Sequence, residues 1–533
     1  MEVIVKYNGD PSELGIEPLG QGFGVIEIER DKLEELYSQP QIENIELPKD
    51  VYINDTFTAS SVCLLPAHSP DSFGLKGSGV ITAVIDTGID YTHPDFQTPN
   101  GQTRILSFWD QRGEGNSPDG FREGTEYTSE EINEALASSD PFSIIPQLDI
   151  NGHGTAVAGI AAGSGIASED NIGMAPYSAI IAVRVGEADD DFARSTELMR
   201  AIKYVVDKAR FYKMPAAINL SFGMNEGAHK GDSLFEEYIS SMSSEWKTSI
   251  VIPTGNEGGA GHHYSGTIRV GETNDVEFFT ASGIEKFYLS MWKNFSDDIS
   301  IELILPDGST TGIINSGSPP KTQRFRNLDV TVVYGQPTIY SVSQELFFDV
   351  RAAEGYIQAG LWRLRLRGIS VVDGSFDIWL PTVEQVTTGT YFTVPDNFDT
   401  ITIPSTAQKI IRVAGYNDRL GSAAEFSGIG SRNTNFPDIA APSVAVTAPR
   451  IGGGYDVFTG TSFAAPFVTG SAALMMEWGI VRGLAPFMYG ERIKAYLRLG
   501  AKRSENTVYP NPISGYGMLC IGSSLTEMAK MYG

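Results

Sequence analysis

Residues 80–88 read Val80-Ile81-Thr82-Ala83-Val84-Ile85-Asp86-Thr87-Gly88. The run is apolar at almost every position and stops at a carboxylate followed by a turn, the pattern of a strand buried on both faces whose carboxyl end meets solvent. Related runs recur at Ala179 to Val185, Ala216 to Leu220, Ile250 to Pro253 and Ile410 to Ala414, with Leu198, Ile202 and Val205 marking an apolar helix face between two of them. Covered strands alternating with helices predict an α/β body: a parallel sheet with helices on both faces.

Two other textures interrupt it. Residues 1–50 hold apolar-rich strands at Val3 to Val5 and Gly24 to Ile28, a helical stretch from Asp31 to Tyr37 and an alternating strand from Ile42 to Leu47. This predicts a small N-terminal α+β unit, too short to bury much surface alone, that leans on the rest of the chain. Between 267 and 395 the strands alternate, as in Ile299 to Leu305 and Leu361 to Leu366, with an Asp307-Gly308 turn, and predict an inserted β-sandwich or jelly roll. Trp362 and Phe347-Phe348 belong to its core. The expected units are 1–55, 56–266, 267–395 and 396–533.

The 533 residues carry 39 Lys plus Arg against 66 Asp plus Glu, a net charge of −27. That surplus repels phosphates and anionic lipid heads, so no nucleic-acid and no membrane partner is expected. Met1 to Tyr7 lacks the basic and apolar regions of a secretory signal, and the apolar stretch from Ser462 to Trp478 is broken by Pro466 and Gly470. Synthesis inside the cell is the expectation, and Cys63 and Cys520 are expected to be free thiols in a reducing compartment, Cys63 as a small buried hydrophobe.

In an open parallel sheet the chemistry gathers at the carboxyl ends of the strands. One strand ends in Asp86-Thr87-Gly88, another in Ser221-Phe222-Gly223, a third in Thr254-Gly255-Asn256-Glu257-Gly258. Asn151-Gly152-His153-Gly154-Thr155 and Gly460-Thr461-Ser462-Phe463-Ala464-Ala465-Pro466 each open an apolar helical stretch. A serine hydroxyl needs an imidazole to take its proton, and the imidazole needs a carboxylate to fix its tautomer; Asp86, His153 and Ser462 supply the set. Their order, Asp then His then Ser, is that of subtilisin and differs from chymotrypsin and the α/β-hydrolases.

Together the segments that hold Asp86, His153, Asn256 and Ser462 resemble the subtilisin-like serine proteases at each of that family's signature positions. The resemblance implies that Ser462 is the nucleophile, His153 the general base and then acid, Asp86 the orienting carboxylate and Asn256 the oxyanion-hole amide. Ser221, Phe222 and Gly223 resemble the strand that pairs with an extended protein or peptide substrate, and Thr254 and Gly255 the other wall of the P1 pocket. Residues 1–50 take the place of a prodomain that chaperones folding and is clipped by the enzyme itself, with self-processing expected near 52–58. The inserted jelly roll and the long stretch between Asp86 and His153 resemble the Csp-type subtilases of spore-forming Firmicutes, which clip a cortex-lytic zymogen in spore germination. That likeness implies a spore-associated role. Two other readings stay open: a non-catalytic subtilase-fold scaffold and a general intracellular housekeeping protease.

Where the family often has a second His, this chain has Ala156, outside the triad. The calcium loop of secreted relatives is not recognisable in Gly163 to Gly173, and Asp95 matches one ligand position only, so no metal and no cofactor is expected. His262-His263 lacks metal-ligand spacing and is assigned to the cleft rim, in contact with the prodomain. Asp189-Asp190-Asp191 is read as flanking the S2 and S4 subsites and favouring basic substrate residues there.

Overall fold

In the computed structural model, which describes residues 1–29, 32–48, 50–52, 62–186, 192–337, 339, 341–434 and 436–532, strand Ile81–Asp86 lies inside a nine-stranded sheet. Its neighbours are Ala216–Leu220 and Ala179–Arg184, both parallel to it. Thr248–Pro253, Ile411–Asn417 and Ile439–Pro442 extend the parallel array on one side and Ile105–Asp110 on the other, while Ser422–Ala423 and Thr125–Thr128 close it as antiparallel edges. Alternate residues feed two cores: Val84 and Val251 point to one face, Ile81, Ala83, Ile85, Ile250 and Ile252 to the other. That two-sided burial is why these strands read as unbroken apolar runs.

Helices His153–Ala162, Ala465–Met476, Glu491–Leu499 and Ile521–Tyr532 cover the first face; Ser195–Tyr212 and Leu234–Met242 cover the second. By length and composition the stretch Thr461–Val481 is apolar enough to cross a bilayer, but 89% of its most apolar window is buried in the body, where it serves as the core helix.

The N-terminal unit is a four-stranded sheet, in the order Glu17–Gly20, Phe23–Glu27, Glu2–Tyr7, Ile42–Glu46. It leans on the helices of the second face as expected. Ile4, Leu19, Phe23 and Val25 enter that core, the Phe23 ring meets Tyr238 edge-on at 5.5 Å, and Arg200 pairs with both Glu2 and Glu17.

The insertion folds as two antiparallel sheets of six and four strands around its own core, which contains Trp362, Phe348 and Phe278. It takes its first strand from His263–Thr267, paired with Ser375–Trp379. Where it meets the body, the Trp379 indole is stacked between His229 at 4.2 Å and His263 at 4.7 Å.

Cys63 and Cys520 are joined in a disulfide, against the expectation of free thiols. They lie 457 residues apart, but the turn before helix Leu64–His68 is packed on the start of Ile521–Tyr532, which brings their Cα atoms to 4.9 Å. Chain distance concealed a contact that the packing of these terminal helices creates.

Two buried histidines tie stability to pH. His68 Nε2 lies 2.8 Å from the Met174 carbonyl and His229 Nδ1 lies 2.7 Å from that of Ile401, yet burial pushes both rings down to about 4. At these two rings the unfolded chain binds more protons than the folded one between about pH 6.5 and 4. Each ring should therefore lower the unfolding free energy as pH drops through that window, by about 1.4 kcal/mol per pH unit. Urea midpoints of the wild type and of His68→Gln measured side by side from pH 7 to 4.5 test this: the variant should lose less stability on acidification, and parallel profiles would contradict it.

Candidate active site

Asp86 is the last residue of its strand and is fully buried. Its Oδ1 accepts the Thr87 N–H at 2.8 Å and lies 2.6 Å from His153 Nδ1. A carboxylate at that distance requires the proton on Nδ1, which leaves Nε2 as the ring's acceptor. His153 opens helix His153–Ala162, and Gly154 sits so close to the Gly88 carbonyl that a Cβ there would collide with it. This close approach seats the helix start against the strand end.

A second buried carboxylate, Asp149, was not singled out by the sequence pattern. Its Oδ1 accepts the Gly152 N–H and the Thr87 hydroxyl, both at 3.0 Å, and its Oδ2 accepts the Thr155 N–H at 2.8 Å and hydroxyl at 2.5 Å. It thereby satisfies orphan donors at the start of the His153 helix. Burial raises Asp149 above the usual carboxylate range despite these bonds, and the Asp86 charge adds to the rise.

Ser462 lies in the turn Thr461–Phe463 that leads into helix Ala465–Met476 and is 1% exposed. The next ring, Phe463, meets His153 edge-on at 5.0 Å, so the turn that carries Ser462 packs on the start of the His153 helix, 309 residues away in sequence. The Ser462 carbonyl accepts the Ser221 hydroxyl at 3.3 Å, and Ser221 Oγ in turn accepts from Asn219 at 2.7 Å. Asn219 Oδ1 takes the Thr469 hydroxyl at 3.0 Å, so a buried polar chain pins the serine turn to strand Ala216–Leu220.

Asn256 comes just after strand Thr248–Pro253. Its Oδ1 accepts both the N–H and the hydroxyl of Thr461 at 3.0 Å, which fixes the amide beside Ser462 with its carbonyl end committed to Thr461. Gly223 and Gly255 face each other across Thr402, and a Cβ on either would run into the Thr402 side chain. Gly255 also needs its φ of +83°. Phe222 and Thr254 are buried, the latter with its hydroxyl 3.3 Å from that of Ser427 and its carbonyl accepting the Thr402 N–H at 3.0 Å.

Asp95 takes the Ala167 N–H at 3.1 Å and the Tyr455 hydroxyl at 2.6 Å, a structural role. His262 and His263 are buried where the insertion joins the body, with Glu257, Thr390, Phe398 and Asp377 as partners, so the insertion takes the place expected for the prodomain. Asp189-Asp190-Asp191 and most of the expected processing window lie outside the described residues.

The structure of the Clostridium perfringens CspB protease superposes with a TM-score of 0.81 at 35% identity, covering 88% of this chain and 97% of that one. A PII-type proteinase of Lacticaseibacillus paracasei is 24% identical over 478 residues, 82% of this chain, which spans about a quarter of that proteinase's length. A subtilisin of Bacillus pumilus is 26% identical over 269 residues, 48% of this chain and 77% of the subtilisin. Residues 1–49 match the model of the Csp protease B prodomain. The Subtilase family model matches 77–343 and 393–517, stretches that hold Asp86, His153, Asn256 and Ser462, and on that match over well more than half of the sequence the chain belongs to the subtilase family.

Proposed function

We propose that the protein is a serine endopeptidase that works through an acyl-enzyme, with Asp86, His153 and Ser462 as its triad. The 2.6 Å contact between two buried side chains, Asp86 Oδ1 and His153 Nδ1, carries this reading, because it leaves Nε2 as a base beside the Ser462 turn. Ser462 Oγ attacks the peptide carbonyl as its proton passes to His153 Nε2, and Asp86 stabilises the imidazolium. The Asn256 amide and the Ser462 N–H hold the oxyanion. His153 then gives the proton to the leaving amine, and water repeats the sequence on the ester.

The segments 221–223 and 254–255 line the substrate as an extended strand, with Thr402 between the two glycines as the base of the P1 site. The first substrate is the chain itself, cut after the N-terminal unit. Likeness to the CspB protease supports limited proteolysis of a cortex-lytic zymogen as the further role. A fluorophosphonate reagent tests the nucleophile: the expected result is one adduct, on the peptide containing Ser462, absent from His153→Ala. Labelling at several serines at equal rates would count against it.

A further inference from the structure

Glu257 directly succeeds Asn256 in the turn that ends strand Thr248–Pro253, and its side chain is 1% exposed. Three donors from three segments converge on its carboxylate. His262 Nδ1 at 2.6 Å and Asn225 Nδ2 at 3.1 Å meet Oε2, and the Val383 N–H at 3.0 Å meets Oε1. Asn225 lies just past the Ser221–Gly223 segment and also donates to the Leu380 carbonyl at 3.1 Å. Leu380 and Val383 belong to the chain leaving the insertion's strand Ser375–Trp379.

His262 lies between this carboxylate and a backbone carbonyl, that of Thr390, 3.0 Å from Nε2. With Glu257 ionised both partners only accept, so both ring nitrogens donate and the ring is an imidazolium. Burial opposes that charge, but Glu257 and the Thr390 hydrogen bond hold the ring above the ordinary histidine value, with the smallest pull from Glu384, which burial and the Glu257 charge push up to about 8.

We propose that Glu257 and His262 are positioning residues: a buried ion pair through which the inserted β domain fixes the Asn256 turn and the facing substrate wall. The inference rests on the protease reading above. A buried carboxylate without a counter-charge is strongly disfavoured even with the Asn225 and Val383 donors in place, so without the imidazolium Glu257 would turn toward water and pull the adjacent Asn256 backbone with it. An oxyanion donor tolerates little of this, since a displacement of about 1 Å costs on the order of a hundredfold in rate. The sequence pair His262-His263 is explained without a metal: His263 stacks on Trp379 while His262 holds the turn.

The test is a double-mutant cycle on the full chain, with an internally quenched peptide spanning its residues 48–62 as substrate. Asn256→Ala should lower kcat by about 10²–10³-fold. Glu257→Gln, nearly isosteric, should lower kcat by about 10–10²-fold with KM little changed, and the double variant should be no worse than Asn256→Ala within about threefold. Losses that multiply, or a Glu257→Gln loss under twofold, would overturn the inference while leaving the protease reading intact. A wild type that cleaves nothing overturns both. If Glu257→Gln does not fold, His262→Gln takes its place in the cycle. If neither folds, the wild type decides by nitrogen-15 shifts of His262 at pH 7: both ring nitrogens protonated support the pair, and a neutral ring overturns it.

Discussion

Under denaturing conditions the wild-type protein should separate into a fragment of about fifty residues and a large remainder, while Ser462→Ala should run as one species of full mass. The substitution removes a single oxygen from a buried residue in a short turn, so the fold should stand. Cleavage should not: subtilisin loses about a millionfold in kcat with its nucleophile. Among the described residues, the contacts that seat the N-terminal unit do not involve Ser462. Arg200 would still hold Glu2 and Glu17, and Glu46 would still accept the N–H of Leu234 at the start of its helix. A whole Ser462→Ala chain would therefore report lost chemistry and not lost docking. Intact mass of the two proteins side by side settles the point. If both stay whole, self-processing is absent and the scaffold reading, with the β insertion as the binding part, takes over.

How much the chain order reveals depends on how far each interaction reaches. Asp86, His153, Asn256 and Ser462 each sit at the junction of an apolar run with a turn, so local pattern marks them. The same holds for the body strands, whose alternating residues feed opposite cores and so leave few polar positions. Asp149 escaped because its four hydrogen bonds go to Thr87, Gly152 and Thr155, none of which looks unusual alone, although its place four residues before His153 in the same loop was a usable signal. Asn219 reads as one polar residue inside a buried strand, and that misfit was the clue to the polar chain through Ser221 to the Ser462 turn. The Cys63–Cys520 bridge and the Glu257–His262 pair are products of packing between segments that only the folded chain brings together.

Asp86→Asn should lower kcat by about 10⁴-fold, or roughly 5.5 kcal/mol, while leaving KM close to the wild type. The amide fits the same space, and either way it can turn is costly. With Nδ2 toward the imidazole, a donor faces His153 Nδ1 at a distance that now holds a short hydrogen bond. The ring must then move its proton to Nε2 and present an N–H to Ser462, where a base is needed. With the carbonyl oxygen toward the imidazole, the tautomer is kept, but Nδ2 occupies the place of Asp86 Oδ2, which is buried with no hydrogen-bond partner among the described residues. That orientation strands two buried N–H donors and removes the anion that stabilises the imidazolium. Asp149 cannot substitute, because its oxygens are committed to Thr87, Gly152 and Thr155 and none reaches the ring. Nitrogen-15 shifts of His153 distinguish the two orientations, and kcat measures their common cost. A loss below tenfold would show that the Asp86 contact orients nothing that the reaction uses, and the triad assignment would fall with it.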